Sequence, residues 1–476
     1  MKVLTKAVLS IAFSTVFVSS ALGSVQKAAD YYYKNSRSVK YFPAIAKELI
    51  DDQLYFSAVP FLKEYLAAGL SSQDRSVDQM IERIISEIGS VQFEIMPNKV
   101  LERSSAASLH YVLAKKYLAA NENERALQEL NKILDKKHPS LPFALLMKGS
   151  VYSILGKYSS AVDTYKQCID VAEDHIDSAR SINKKKQLEI ARDYCIVGIP
   201  RAEFAAGQYS AAHSHYMDLS KSSKVWPEIL FEEAWTSFYL KDYNRTLGKL
   251  VTYNAPLFGH LFNPEIDILR SLTYMEMCLW NDAKKVVDEF YSTYSQESQQ
   301  LQNEMARIGK DYKYFYQLGK ERIDGQVAGG KLKNILLKAV VGDAAFGEMY
   351  LSFQSSSQEL DRVNQMNNSA FKQFLLEGLR DTLVDQRNLI GSYVRTGMNN
   401  QMNRMNRAFE GMSYIKLEVL ARIKAEIYNV DFSQKEKRGD INNLKRTSKQ
   451  YFWSFNGEFW ADELGDYVFS LKPECK

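Results

Sequence analysis

The sequence predicts an all-α protein: a helical solenoid of repeated hairpins, then long coiled-coil-like helices, then a C-terminal aromatic and acidic strap. Three observations carry that expectation. Prolines (10) and glycines (23) are sparse over 476 residues, and none of the prolines falls between positions 265 and 472, which favours long helices over a turn-rich β fold. Small and aromatic residues recur with a period of about 34–35 residues through the first part of the chain. Residues 451–469 hold eight aromatics and four carboxylates with no basic side chain. An apolar share of 46% belongs to a folded chain, and the length exceeds one ordinary core.

Residues 1–23 read as an export signal. Lys2 and Lys6 precede an uncharged apolar run, and Ala21 and Gly23 place cleavage before Ser24. The run is shorter than the roughly 20 residues a membrane span needs. Later, "NILLKAVVGDAAF" is interrupted by Lys338 and Asp343. The mature chain is therefore expected to be periplasmic and not membrane-spanning. Losing two lysines lowers the formal charge from +4 to about +2, which offers no global field for nucleic acid. Cys168, Cys195, Cys278 and Cys475 have no paired metal-knuckle spacing. In an oxidising compartment they read as buried thiols or as one or two staples.

Residues 24–100 form a degenerate repeat region, and residues 101–295 the solenoid proper. "LAKKYLAANENERALQELNKIL" and "LMKGSVYSILGKYSSAVDTYKQCI" are close copies, each two short helices with small residues where the helices touch. In the second copy Gly149, Gly156, Tyr158, Ala161 and Tyr165 mark the unit. That is the tetratricopeptide (TPR) pattern. Four looser copies follow the same offsets around Tyr55, Tyr209, Tyr243 and Trp280; in the third of these Thr246 replaces the second small residue. First helices of such hairpins line an inner, partner-holding face, here Tyr111, Lys115, Leu146, Ser150 and Ser153. This set lacks the Lys and Asn side chains that would clamp a peptide carboxylate.

Residues 296–430 are a long-helix region beyond a glycine hinge at Gly325, Gly329 and Gly330. Met398, Met402, Met405, Phe409, Met412, Val419 and Ile423 follow a heptad-like rhythm broken at Lys416, as in a helical hairpin or coiled-coil arm. Residues 431–476 are a basic linker (Lys435, Lys437, Arg438, Lys445, Arg446, Lys449) followed by the strap.

Catalytic motifs such as GxSxG, HExxH and GxGxxG do not occur, and no cofactor is expected. "GQVAGGKL" has phosphate-loop spacing, but Leu332 stands where a hydroxyl would have to hold magnesium. His213 and His215 are two apart and point to different helix faces. In the strap, Glu458, Asp462, Glu463 and Asp466 are carboxylates of the kind glycoside hydrolysis or calcium binding uses, without a diagnostic spacing. A latch fits better: Trp453, Phe455, Phe459, Trp460, Tyr467 and Phe469 lie against the helical body while the carboxylates face water or pair with the basic strip before them. Docking of a partner by the same aromatics is the alternative.

The segments "WPEILFEEAWTSFYLKDYNRTLGKLVTYNAPLF", "NPEIDILRSLTYMEMCLWNDAKKVVDEF" and "WSFNGEFWADELGDYVFSLKPEC" resemble a family of exported TPR proteins from deltaproteobacteria that includes adventurous-gliding motility TPR proteins. The resemblance covers roughly residues 207–290 and 453–475. It implies a non-catalytic periplasmic scaffold that binds other envelope proteins, with cell-wall association included and with a place in a gliding-motility or other envelope-spanning complex. It also implies a Cys278–Cys475 disulfide tying the strap to the solenoid. Glycan binding to the cell wall, and a hydrolase using the strap carboxylates, are the alternative functions.

Overall fold

The computed structural model describes residues 17–34, 38–70, 74–179, 181–258, 261–326, 329–427, 441, 444 and 446–475. Most of the leader and the linker residues Lys435, Lys437, Arg438 and Lys445 lie outside them. The described residues are all-α apart from one two-residue strand pair. They group into two compact units, one of Met1–Ile133 with Glu348–Arg387, the other of Leu134–Gly347 with Asn388–Lys476.

The first unit holds α1 (Phe17–Lys34), α2 (Phe42–Asp51), α3 (Tyr55–Ala67), α4 (Arg75–Ile88), α5 (Val91–Glu94), α6 (Asn98–Leu101), α7 (Ala107–Ala119) and α8 (Asn123–Leu130). The second holds α9 (Leu141–Ile154), α10 (Tyr158–Ser178), α11 (Ile182–Ala205), α12 (Tyr209–Tyr216), α13 (Trp226–Tyr239), α14 (Tyr243–Val251), α15 (Glu265–Glu276), α16 (Trp280–Ile308), α17 (Tyr312–Ile323) and α18 (Lys331–Val341). Helices α19 (Ala344–Asn364) and α20 (Ala370–Ile427) contribute residues to both.

The predicted repeat is visible in the backbone. Six hairpins, α2–α3, α7–α8, α9–α10, α11–α12, α13–α14 and α15–α16, turn through one left-handed residue each: Gln53, Asn121, Gly156, Gly207, Lys241 and Cys278. That conformation suits glycine and costs an L-residue about 1 kcal/mol or more. Only two of the six turns use glycine, so the periodic packing of the helices, rather than turn chemistry, sustains the others. In the second unit consecutive helices from α9 to α16 pack in order, and first helices touch first helices (α9 with α11, α13 with α15). This is a solenoid of TPR-like hairpins. A disulfide between Cys168 on α10 and Cys195 on α11 staples two of its turns.

In the first unit Glu359 of α19 caps α3. Its carboxylate accepts the N–H groups of Phe56 (3.0 Å) and Ser57 (2.7 Å) and the Ser57 hydroxyl. Orphan donors at a helix start are thereby satisfied by a charge. Arg362, one turn on, donates to the carbonyls of Asp52 and Gln53 at the preceding turn.

The methionine stripe is core. Met398, Met402, Met405 and Met412 are buried, with Phe409 5.0 Å from the ring of Phe290 on α16 and Met412 receiving the hydroxyl of Ser271 on α15. The seam therefore packs on the last hairpin. At the break, Ala408 and Ile415 are buried, each one position before Phe409 and Lys416.

Candidate functional site

The strap docks on the second unit. Residues Trp453–Ser454 (β1) and Tyr467–Val468 (β2) form a parallel pair, and Leu464, Tyr467 and Val468 are buried against the helices. Gly248 on α14 makes this docking possible. A Cβ there would overlap the carbonyl of Tyr467, so only a bare backbone lets the strap lie on the helix. At Gly465 a Cβ would stand 2.6 Å from the Trp226 indole. Asn244 then holds the strap by its backbone: its side-chain oxygen accepts the Leu471 N–H (2.9 Å), its amide donates to the Leu471 carbonyl (3.2 Å), and its own carbonyl accepts the Phe469 N–H (3.1 Å). Beyond it Cys475 is disulfide-bonded to Cys278 at the α15–α16 turn.

Charge is matched beneath the strap. Lys249 pairs with Glu233 in a nearly dry site and also donates to the Gly465 carbonyl (3.4 Å). Lys221 pairs with Asp466 (2.6 Å), and Lys449 from the linker pairs with Asp218 (2.6 Å). His213 and His215 face apart as expected: His213 meets the Gln450 amide (2.6 Å) and His215 meets Glu203 (2.7 Å). Burial, with Lys249 and Arg245 nearby, pushes the His213 imidazole down to about 4. At the phosphate-loop look-alike, Leu332 donates its N–H to Glu297 (2.6 Å), so a carboxylate already occupies the anion position at the start of α18. Among the described residues no group of three or more His, Cys, Asp and Glu is placed to hold a metal ion, and no helix is long and apolar enough to cross a membrane.

The strap residues separate into two faces. Phe455 and Phe459 pack with Tyr467 at 5.4 and 6.0 Å between ring centroids, and Phe469 packs on Phe455. Trp453 and Trp460 do not join them: they are 48% and 57% exposed. Glu458 and Asp462 are exposed as well, and Glu463 is half-buried. The reason is room. The floor under the strap, Trp226 and Leu230, is filled by the strap's own Leu464 and Tyr467, and the Tyr467 hydroxyl accepts the Trp460 N–H (2.7 Å), so the loop ends with its indoles outward.

Of the inner-face residues read from the sequence, Tyr111 and Lys115 lie in the first unit and Leu146, Ser150 and Ser153 in the second. Lys115 is paired with Glu94. The two serines bond their own helix, Ser150 to the Leu146 carbonyl (3.0 Å) and Ser153 to the Gly149 carbonyl (3.1 Å).

A better-formed site lies on the following hairpins. A groove of about 440 Å³ is lined by Arg201 and Phe204 of α11, Tyr216 of α12, and Phe231, Glu232, Trp235 and Tyr239 of α13. Arg201 grips Glu232 with two nitrogens (2.6 and 2.8 Å), and the Tyr216 hydroxyl donates to the same carboxylate (3.0 Å). Burial and Glu232 together raise the Tyr216 phenol, and Glu232 holds Arg201 charged against the cost of burial. Tyr239 stacks on Tyr209 at 4.6 Å. The sequence reading missed this groove, although the signal was present: Ser150 stands eight residues before Tyr158, and the same offset before Tyr209 and Tyr243 lands on Arg201 and Trp235.

No protein-family model matches the chain, and no curated protein matches it. Solved structures are similar to it in part, among them the following two. One is a tetratricopeptide repeat protein from Parabacteroides merdae, 15% identical, covering 59% of this chain and 95% of its own, with a TM-score of 0.29. The other is a Rap protein complexed with competence and sporulation factor, 13% identical, covering 73% of this chain and 99% of its own, with a TM-score of 0.28.

Proposed function

We propose that the chain is a non-catalytic adaptor of the cell envelope, exported to the periplasm, that holds other envelope proteins through the inner face of its hairpins. The resemblance described above adds an envelope-spanning assembly, a gliding-motility complex included, as its setting. The observation that carries the adaptor reading is the Arg201–Glu232 groove. It is concave, walled by half-exposed aromatics and floored by a satisfied ion pair, the kind of surface on which interface anchors seat. The strap, by contrast, spends its buried aromatics and backbone donors within its own unit, which supports the latch reading.

Cell-wall glycan binding is the second reading, and the exposed Trp453 and Trp460 favour it, because indole faces of this kind stack on sugar rings. A hydrolase on the strap carboxylates gains little: hydrolysis needs two carboxyl groups facing one bond, whereas Asp466 is tied to Lys221 and Glu458 and Asp462 face solvent.

The test is photo-crosslinking in cells, with the crosslinking residue at Tyr239 in one strain and at Trp460 in another, followed by osmotic-shock fractionation. Protein adducts from Tyr239 in the periplasmic fraction are expected. Adducts formed only from Trp460 would make the strap the docking element, and a cytoplasmic pool would overturn the export reading.

A further inference from the structure

One helical turn before the groove's Glu232 stands a carboxylate that the groove's ion pair does not use. Glu228, on the first turn of α13, accepts the Tyr194 hydroxyl (3.0 Å) and has no ion-pair partner among the described residues. It is open to solvent yet hemmed in by protein, and burial raises its carboxyl above the usual range. Asp343, at the start of α19, bonds Tyr393 and adds to that rise. Glu232 and Asp343 both act on Glu228 as like charges, against Arg201. Beside them lie Trp235 and Tyr239, the latter 48% exposed.

An aromatic wall beside unmatched carboxylates selects for positive charge twice over. Ring faces are negative and attract guanidinium or ammonium groups, and the carboxylates complete an ion pair on arrival. The same excess of negative charge repels acidic wall polymers. A volume of about 440 Å³ takes one or two side chains of an extended segment rather than a folded surface. From this geometry and charge we infer that the groove docks an extended polypeptide segment bearing arginine or lysine, its cation paired with Glu228 and Asp343 at the groove's edge and neighbouring side chains of the segment lying on Trp235 and Tyr239. This inference rests on the adaptor reading and gives its partner a chemistry.

Fluorescence anisotropy on the full chain tests it. The probe is a labelled arginine- and proline-rich decapeptide, beside versions with glutamine or glutamate in place of arginine. The arginine peptide is expected to bind about ten-fold or more tightly than the glutamine one, and Glu228→Gln or Asp343→Asn to lose about ten-fold, while Glu458→Gln on the strap changes nothing. Trp235→Ala should weaken binding too; if that variant misfolds, the two surface carboxylate variants still decide. Equal binding of the arginine and glutamine peptides, preference for the glutamate peptide, or displacement of the probe by a neutral chito-oligosaccharide would overturn the inference. A cellular adduct at Tyr239 that the arginine peptide fails to compete would leave the adaptor reading standing and remove this one. Tight arginine-peptide binding with no cellular adduct would do the reverse.

Discussion

The α9–α10 and α13–α14 hairpins are copies of one unit, yet the glycine in each makes room for a different kind of neighbour. In the first, Gly149 faces the ring of Tyr165, which also fills the space before Gly198 on α11; a Cβ at either glycine would stand 2.5–2.6 Å from that ring. In the second, Gly248 faces the backbone of Tyr467, far along the chain. One vacancy belongs to the repeat and the other interrupts it to admit the strap. Gly149 thus marks where helices of the repeat touch, whereas Gly248 marks contact with something outside the repeat.

The largest expected effect is on the strap's covalent tether. Cys278–Cys475 closes a separation of 197 residues, against 27 for Cys168–Cys195, so chain entropy assigns the longer loop about 5 kcal/mol and the shorter about 3.5. Cys475→Ser should therefore lower the denaturation midpoint more than Cys168→Ser paired with Cys195→Ser. Equal midpoints for the two variants would show that loop length does not set what the strap's tether is worth. Gly248→Val comes next. It should eject the strap at a cost of about 3 kcal/mol while the hairpins persist, seen as rapid protease cleavage near Tyr451 with helical circular dichroism retained. Gly149→Ala, by contrast, can be relieved in part by a shift of the Tyr165 ring and should leave the strap protected.

Acid should loosen the strap site without touching the α9–α10 hairpin. His213 titrates near 4 when folded and near its ordinary 6.5 when unfolded, so the unfolded chain takes up the proton first. Its contribution is complete above about pH 6.5 and is lost as pH falls toward 4, at most about 3 kcal/mol. His213→Gln should flatten the stability profile across that window; an unchanged profile would place the acid sensitivity elsewhere. The smallest effect belongs to the outward indoles. Trp453→Ala and Trp460→Ala should each shift stability by less than about 0.5 kcal/mol, whereas Tyr467→Ala should cost about 3–5.

Much of this was legible beforehand. Tyr158, Ala161 and Tyr165 and their counterparts marked the hairpins because a helix pair needs small residues at its contact and large ones beside it. The methionine rhythm marked a buried face, although not which surface would bury it. The aromatic density of the strap marked packing, but alternation alone did not separate Tyr467, which is buried, from Trp460, which is not. The Arg201 groove is not legible in the two best repeats, because Ser150 stands there at the position that Arg201 and Trp235 take in the later hairpins.

By itself the sequence determined the helical class, the hairpin period and the existence of an aromatic tail, since these follow from local spacing. Tertiary structure decided where the tail lies, which of its rings are wet, and which hairpins form a groove. Those outcomes depend on groups distant in the chain meeting at one place: the bare backbone of Gly248, the Asn244 amide, and the unmatched carboxylate of Glu228. No local pattern encodes such a meeting, because its energy exists only once both partners have been brought together.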